Sequence, residues 1–340
     1  MKALQYIGNH KLELRDVPNP TITDGHIIIA PESVGICGTD IHILEGDYTS
    51  NPPVTLGHEV SGRVVEIGKD VTELKVGDLV TVEPHRYCGV CLYCQIGYEH
   101  MCIKKEAYGV HLDGGMAEFQ KVPAKIAYKL PTNMKTSIGA LTEPLACVVH
   151  SVDRMRPLSG LPILIVGTGA AGSMLVGICK LQGLNPIITV DGRKDRCELA
   201  KLMGADYTFE TLEEVEARME ELTNGFGFPF VVDAVGSAEV LTQAIKLASR
   251  RATILVFGVA NPTAEWKIKP NEIYAKELTI VGSAINPFTH RRALSLLDRI
   301  PVENLKIKEF EMSDFEAAFT SHREGIYDKI QFNPQGLSRK

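Results

Sequence analysis

Hydrophobic positions in the first third of the chain come in short runs broken by glycine, proline and aspartate. "HIIIAPESVGI", "GRVVEIG" and "DLVTVEP" are runs of this kind, and they predict a non-parallel, β-rich domain from Met1 to about residue 130. After "HSVDRMRPLSG" the rhythm changes. An apolar strand, "PILIVG", leads through a glycine-rich turn into a helix, "SMLVGICKLQG", and then into a second apolar strand, "PIITVDG". Further units follow: a helix from Arg193 to Met203, strand "DYTF", a helix from Thr211 to Leu222, strand "FVVDAVG", a helix from Ala238 to Ala248, strand "ATILVFG" and finally "LTIVGSA". Strands alternating with helices join by right-handed crossovers, which predicts a doubly wound parallel sheet. A helix from His290 to Arg299 and the short pieces after it supply too few strands for a third domain. They are expected to return and complete the first one.

Length agrees with this division, since 340 residues suit about two domains whose cores need no disulfide staples. No apolar run near Met1 resembles a signal peptide, and no segment approaches the roughly 20 apolar residues of a membrane span, so a soluble, cytoplasmic protein without a membrane partner is expected. The net charge of -6 argues against a nucleic-acid partner, which favours a basic face. In a reducing compartment, closely spaced cysteines more often bind metal or do redox work than form bridges.

"VGTGAAG" places Gly167, Gly169 and Gly172 in a G-x-G-x-x-G array, with Ala170 and Ala171 between the last two, directly after a strand and before a helix. Glycines there permit a tight turn and a close backbone approach, and the helix N-terminus faces a pyrophosphate. Asp191 ends the next strand, nineteen residues after Gly172, where a carboxylate can accept hydrogen bonds from both ribose hydroxyls. Such a carboxylate repels a 2′-phosphate and favours NAD over NADP. Arg193, Lys194 and Arg196 follow it and weaken that preference, since cations just beyond the strand could hold such a phosphate. Arg193 and Lys194 read as a solvated helix end, and Arg196 as a side chain lying along the adenosine.

Cys88, Cys91, Cys94 and Cys102 stand at gaps of two, two and seven residues. Thiolates so spaced converge on one ion, and four of them make a closed tetrahedral shell, so a zinc ion held there is structural. An iron–sulfur cluster is the rival reading, but its common run has a shorter last gap and a following proline. A nucleic-acid-binding zinc ribbon is a second rival, thinly supported by Tyr87, Tyr93, Lys104 and Lys105.

Candidates for an open metal site are scattered: Cys37, Thr39, Asp40 and His42 in "GICGTDIH", His58 and Glu59 in "LGHEVSG", and Glu143 in "LTEPLACVVH". Each alone is weak. A lone cysteine is usually a small core hydrophobe. Taken in order with the cysteine lobe, "GGMAEF" and "VGTGAAG", however, these motifs resemble the zinc-dependent medium-chain alcohol dehydrogenase family, and within it the polyol, sorbitol-type branch. The resemblance runs over essentially the whole chain.

It implies a GroES-like catalytic domain over residues 1–150, completed by 287–340, and a Rossmann NAD-binding domain over 151–286, with the active site in the cleft between them. It also implies two zinc ions per chain and a homodimer or homotetramer. Cys37 and His58 would be catalytic zinc ligands, Glu143 would face the open site, and Glu59 would be the exchangeable ligand; either acidic residue can reach the metal in the family. Zinc with an exchangeable position acts as a Lewis acid that acidifies a bound alcohol. The family relay implies that the proton leaves by Thr39, the cofactor ribose and His42, while Asp40 orders the local turn. The substrate would be a secondary alcohol or polyol and the product a ketone. Ile43 stands where sorbitol-type enzymes carry an aromatic residue, and Ala284, Ile285 and Asn286 where they carry an arginine. These departures point away from sorbitol itself, toward another polyol, a phosphorylated polyol or a simpler secondary alcohol. Asn286 could bond a substrate hydroxyl, and Tyr108 and His111 serve either the pocket or loop packing. A threonine 3-dehydrogenase-like activity shares the frame, and a non-catalytic nucleotide-binding relative is the remaining alternative.

Overall fold

The computed structural model describes residues 1–336. The chain divides into two units, Met1–Pro144 with the segment from Lys306 onward, and Leu145–Leu305. The return to the first unit therefore falls at Lys306 rather than at 287. Residues 287–305 stay with the second unit because Thr289 Oγ1 donates to Ala146 O at 2.8 Å and Ile300 packs on Gly177.

The first unit is built on a mixed sheet whose central strand, His26–Gly35, runs antiparallel to Glu59–Ile67 on one side and to Lys329–Phe332 on the other. Beyond these lie Leu79–Val82 and Ala127–Lys129 on one edge and Ile307–Phe310 on the other, so the chain's end does complete this sheet. Ile27, Ile29, Val34, Val60, Val64 and Phe332 supply the core beneath it, all at most 1 % exposed. Fully burying such side chains contributes about 1.5–3 kcal/mol each. This core fixes the register that brings Cys37, His58 and Glu59 together. The expected β-rich first unit is the fold observed.

The second unit holds a six-stranded sheet in which every neighbouring pair is parallel. Its spatial order is Tyr207–Phe209, Ile187–Val190, Ile163–Val166, Phe228–Asp233, Ala248–Val256, Thr279–Gly282, which is the doubly wound order 3-2-1-4-5-6. The strands Ile163–Val166 and Ile187–Val190 are buried along their whole length, as continuous apolar runs require in a sheet covered on both faces. Order reverses beside Ile163–Val166, so ligand chemistry is expected at its C-terminal end. The helix expected from Thr211 to Leu222 is instead two, Leu212–Ala217 and Met219–Thr223. Arg218 interrupts it, with its guanidinium 5.3 Å from the ring centroids of both Tyr207 and Phe209.

Candidate functional site

In the first unit, sheet register assembles the cluster. Gly35, the last residue of the central strand, pairs with Glu59 on one neighbour and with Gln331 on the other. Side chains alternate along a strand, so Lys329, two residues before Gln331, lies on the same face. Gly35 places nothing between them, and a Cβ there would collide with Glu59 Oε2. Lys329 Nζ reaches across to donate to Glu59 Oε1 at 2.6 Å and also contacts Oε2. The two side chains are 8 % and 1 % exposed, so water screens little of their attraction. Burial works against the ammonium, but Glu59 and Cys37 outweigh it and hold Lys329 above its usual range.

Past Gly35 the chain turns, Ile36 donating its N–H to Ile330 O at 2.9 Å, and Cys37 caps the helix Gly38–Glu45. Asp40, in the first turn, folds back so that Oδ2 accepts the Cys37 N–H at 2.9 Å, while Oδ1 lies 3.6 Å from His58 Nδ1. Burial pushes the Asp40 carboxyl up, against the pull of His58. Burial alone would push His58 down, but Asp40, Cys37 and Glu143 reverse this and hold the ring well above its usual range.

Cys37 Sγ, a ring nitrogen of His58 and a carboxylate oxygen of Glu59 lie within 4.8 Å of one another. Thiolate, imidazole and carboxylate are the donors of catalytic zinc sites. The surroundings hold Asp40, Glu59, Glu143 and a thiol against Lys329 and a His58 ring held toward its cationic form, a surplus of anionic groups that a divalent cation would match. The residues fit zinc. Cys37, Glu59 and His58 would hold it, His58 through Nε2 because Nδ1 is turned to Asp40. Glu143, 6 % exposed in the first turn of the helix Thr142–Met155, lies outside this trio, although its charge acts on both His58 and Lys329. Thr39 Oγ1 is 3.8 Å from Cys37 Sγ. His42 follows three residues later on the same helix, half-buried, with Nδ1 4.0 Å from Asp47 Oδ2.

Of the residues expected near the pocket, Asn286 is fully buried. His111 Nδ1 accepts the Ala107 N–H at 3.2 Å, so its ring serves the loop, where burial pushes its pKa down.

The four lobe cysteines converge as their spacing requires. Cys91 Sγ and Cys88 Sγ lie 3.6 and 4.0 Å from Cys94 Sγ, where Zn–S bonds of about 2.3 Å in a tetrahedron demand about 3.8 Å. Backbone N–H groups point at the sulfurs, Cys88 and Lys104 toward Cys102 Sγ at 3.4 and 3.3 Å and Cys91 toward Cys88 Sγ at 3.3 Å. Such donors, from Cys94 and Ile103, bring the Cys91 thiol down to about 6. The lobe fits a closed zinc shell.

In the second unit the loop after Ile163–Val166 has the geometry its glycines demand. Gly167 has φ +96°, and a Cβ on Gly172 would collide with Gly167 O. Gly169 faces open space on the side where a pyrophosphate would approach the helix Ala170–Leu181, which begins with Ala170 and Ala171. A cavity of about 560 Å³ opens beside it, lined among others by Gly169, Asp191, Gly192, Arg196 and Glu210. Asp191 is held on both oxygens: Oδ2 accepts from Thr168 N at 2.8 Å and Thr168 Oγ1 at 3.3 Å, and Oδ1 from Arg193 N at 3.1 Å. A carboxylate oxygen has two lone pairs, so acceptor capacity remains for a ribose. Arg196 Nη1 lies 3.7 Å from Asp191 Oδ2.

Known proteins resemble the chain along its whole length. The family model for the alcohol dehydrogenase GroES-like domain matches residues 23–132, and that for zinc-binding dehydrogenases matches residues 170–299. A sorbitol dehydrogenase of Halalkalibacterium halodurans is 32% identical over 98% of this chain and 99% of its own. An L-threonine 3-dehydrogenase of Pyrococcus horikoshii is 34% identical over 98% of this chain and 97% of its own. Among solved structures, a Sinorhizobium meliloti protein described as a zinc-binding dehydrogenase, bound to NADP, superposes with a TM-score of 0.92 at 32% identity, covering 98% of this chain and 99% of that one. The polyol branch expected from the motifs is thus not favoured over its threonine-oxidising relatives.

Proposed function

Because the chain belongs to the zinc-binding medium-chain dehydrogenase/reductase superfamily, we propose that it oxidises a secondary alcohol, a polyol or a phosphorylated polyol to the ketone, with NAD as hydride acceptor. The coarser statement, that it is an NAD(P)-dependent oxidoreductase, rests on that membership. The observation that carries the finer one is the trio of half-buried Cys37 with buried His58 and Glu59, and Lys329 and Asp40 behind it.

When bound, zinc at the trio supplies a Lewis acid that lowers a hydroxyl pKa toward about 7, and the dinucleotide supplies the hydride acceptor. The chain's residues do the rest. Asp40 orients both the His58 ring and the Cys37 backbone. Lys329 stabilises Glu59 as an anion whether or not it contacts the metal, which suits it as an exchangeable ligand, and Glu143 faces the position where the substrate oxygen binds. The Thr39 hydroxyl accepts the substrate's proton as it gives up its own. His42, on the same helix face and half-exposed, passes it to water beside Asp47. Asp191 favours NAD because a carboxylate at the ribose repels a 2′-phosphate.

Threonine is the second reading, favoured by the 34% identity to the Pyrococcus horikoshii enzyme. A homo-oligomer is supported by the strand Thr279–Gly282, last in its sheet, with Ile280 38 % exposed along a free edge. No helix among the described residues is long and apolar enough to cross a membrane, and we place the protein in the cytoplasm. NAD reduction measured across polyols, phosphorylated polyols, threonine and simple secondary alcohols tests the proposal. Turnover of a secondary alcohol or polyol supports it, turnover of threonine alone would replace it, and no turnover of any of them would overturn it.

A further inference from the structure

The segment after Asp191 carries three cations, of which Arg196 lines the nucleotide cavity, and each has a carboxylate beside it. Arg196 Nη1 lies 3.7 Å from Asp191 Oδ2, and Lys194 Nζ 3.8 Å from Glu210 Oε1. Arg193 is held more tightly. Its Nε donates to Asp195 Oδ1 at 3.1 Å and its Nη2 to Asp195 Oδ2 at 2.6 Å, a two-pronged fork closed within three residues. The backbone N–H of the same Arg193 binds Asp191 Oδ1 at 3.1 Å. A guanidinium rooted on that backbone is within side-chain reach of whatever Asp191 holds.

We propose that Asp195 is a specificity-determining residue: by binding Arg193 along its own helix, it keeps that guanidinium from serving as the receptor for a 2′-phosphate. The inference rests on the reading of this cavity as the adenosine end of a dinucleotide site. A 2′-phosphate needs charge-assisted donors, and Arg is the side chain best shaped to supply them. Asp191 alone excludes the phosphate by repulsion. Asp195 acts by a second route, since it removes the donor that would offset that repulsion. Arg193 bonding lowers the Asp195 carboxyl further, so the fork is closed at neutral pH. The pair is partly exposed, at 38 % and 45 %, so the competition between Asp195 and a phosphate is a modest one.

The test reads binding rather than turnover, and therefore needs no known substrate. NADH and NADPH are titrated against the full-length wild type, Asp195→Asn, Arg193→Ala and the double variant, following nicotinamide fluorescence. Asp195→Asn should tighten NADPH relative to NADH by about three- to tenfold, the scale of one half-exposed ion pair released to a phosphate. That gain should vanish in the double variant, because it runs through Arg193. An unchanged ratio in Asp195→Asn would overturn the proposal, as would a gain that persists without Arg193. Wild type that binds NADPH as tightly as NADH would refute the NAD preference instead, and the Asp195→Asn arm would still decide this inference. Unaltered NADH affinity in Asp195→Asn shows that the variant is folded.

Discussion

Lys329 and Glu59 form a buried ion pair across Gly35, one from the last described strand and the other from the strand that follows His58. Neither group can be removed without leaving its partner charged and sealed from water. Breaking such a pair costs about 3–5 kcal/mol. Lys329→Met should therefore lower unfolding stability by roughly that amount, measured as a fall in the urea midpoint at constant slope, and Lys329→Arg should recover part of it. Gly35→Ala should give a loss of the same kind, since its Cβ collides with the Glu59 carboxylate. A stability change within about 0.5 kcal/mol for both Lys329→Met and Gly35→Ala would mean the pair is not formed.

The two cysteine sites should respond differently to the same chemical change. Cys102→Ser should cost stability or assembly, because Cys102 Sγ collects backbone donors from Cys88 and Lys104 in a closed shell. Cys37→Ser should cost turnover by at least about a hundredfold in a protein that still folds and binds NADH, the scale lost when a group that polarises the reacting oxygen is weakened. Circular dichroism melts beside NADH titrations separate the two. Equal loss of stability in both variants would contradict the division into structural and catalytic roles.

Asp191→Asn should bring the affinities for NAD and NADP together by about tenfold or more, since about 1.4 kcal/mol of charge repulsion is removed. It keeps an oxygen acceptor for the Thr168 N–H, which Asp191→Gly would not. An unchanged preference in the Asn variant would show that the carboxylate does not meet the ribose.

Acid should weaken the second unit through His290. Full burial brings its pKa down to about 3, against about 6.5 in an unfolded chain. Between these values the unfolded state binds a proton that the folded state refuses, so stability falls as pH drops below about 6.5, by about 1.4 kcal/mol per pH unit for this one group. Above that pH the contribution is constant. The stability difference between wild type and His290→Leu, followed by urea unfolding from pH 7.5 to 5, should shift against wild type below about 6.5. A difference independent of pH would show that His290 takes up its proton in the folded state.

Features whose parts lie close in sequence were legible. Cys88 to Cys102 and Gly167 to Gly172 bring their groups together within one loop, so spacing alone implies the convergence that the sulfur distances and the Gly172 contact display. Asp191 was legible because its place follows from the period of the fold. Its bonds to Thr168 and Arg193 were not, since they depend on where the loop's own N–H groups point. Lys329 was missed altogether. It lies 270 residues from Glu59, and in sequence it is the lysine that opens a short alternating strand, "KIQF". A signal did exist: a lysine opening a strand destined for a sheet interior is costly unless a carboxylate faces it. The domain return at Lys306 and the break at Arg218 eluded a reading by periodicity for a related reason. Both are decided by contacts with other elements, those of Thr289 with Ala146 and of Arg218 with Tyr207 and Phe209.

The measurement closest to the central claim is zinc content per chain set beside NAD reduction, for wild type and Cys37→Ser. Wild type should hold two zinc ions and turn over a secondary alcohol or polyol, while Cys37→Ser should hold one, remain folded and give no turnover. Full activity in wild type shown to be free of metal, or a Cys37→Ser protein with one zinc ion and undiminished turnover, would contradict the account.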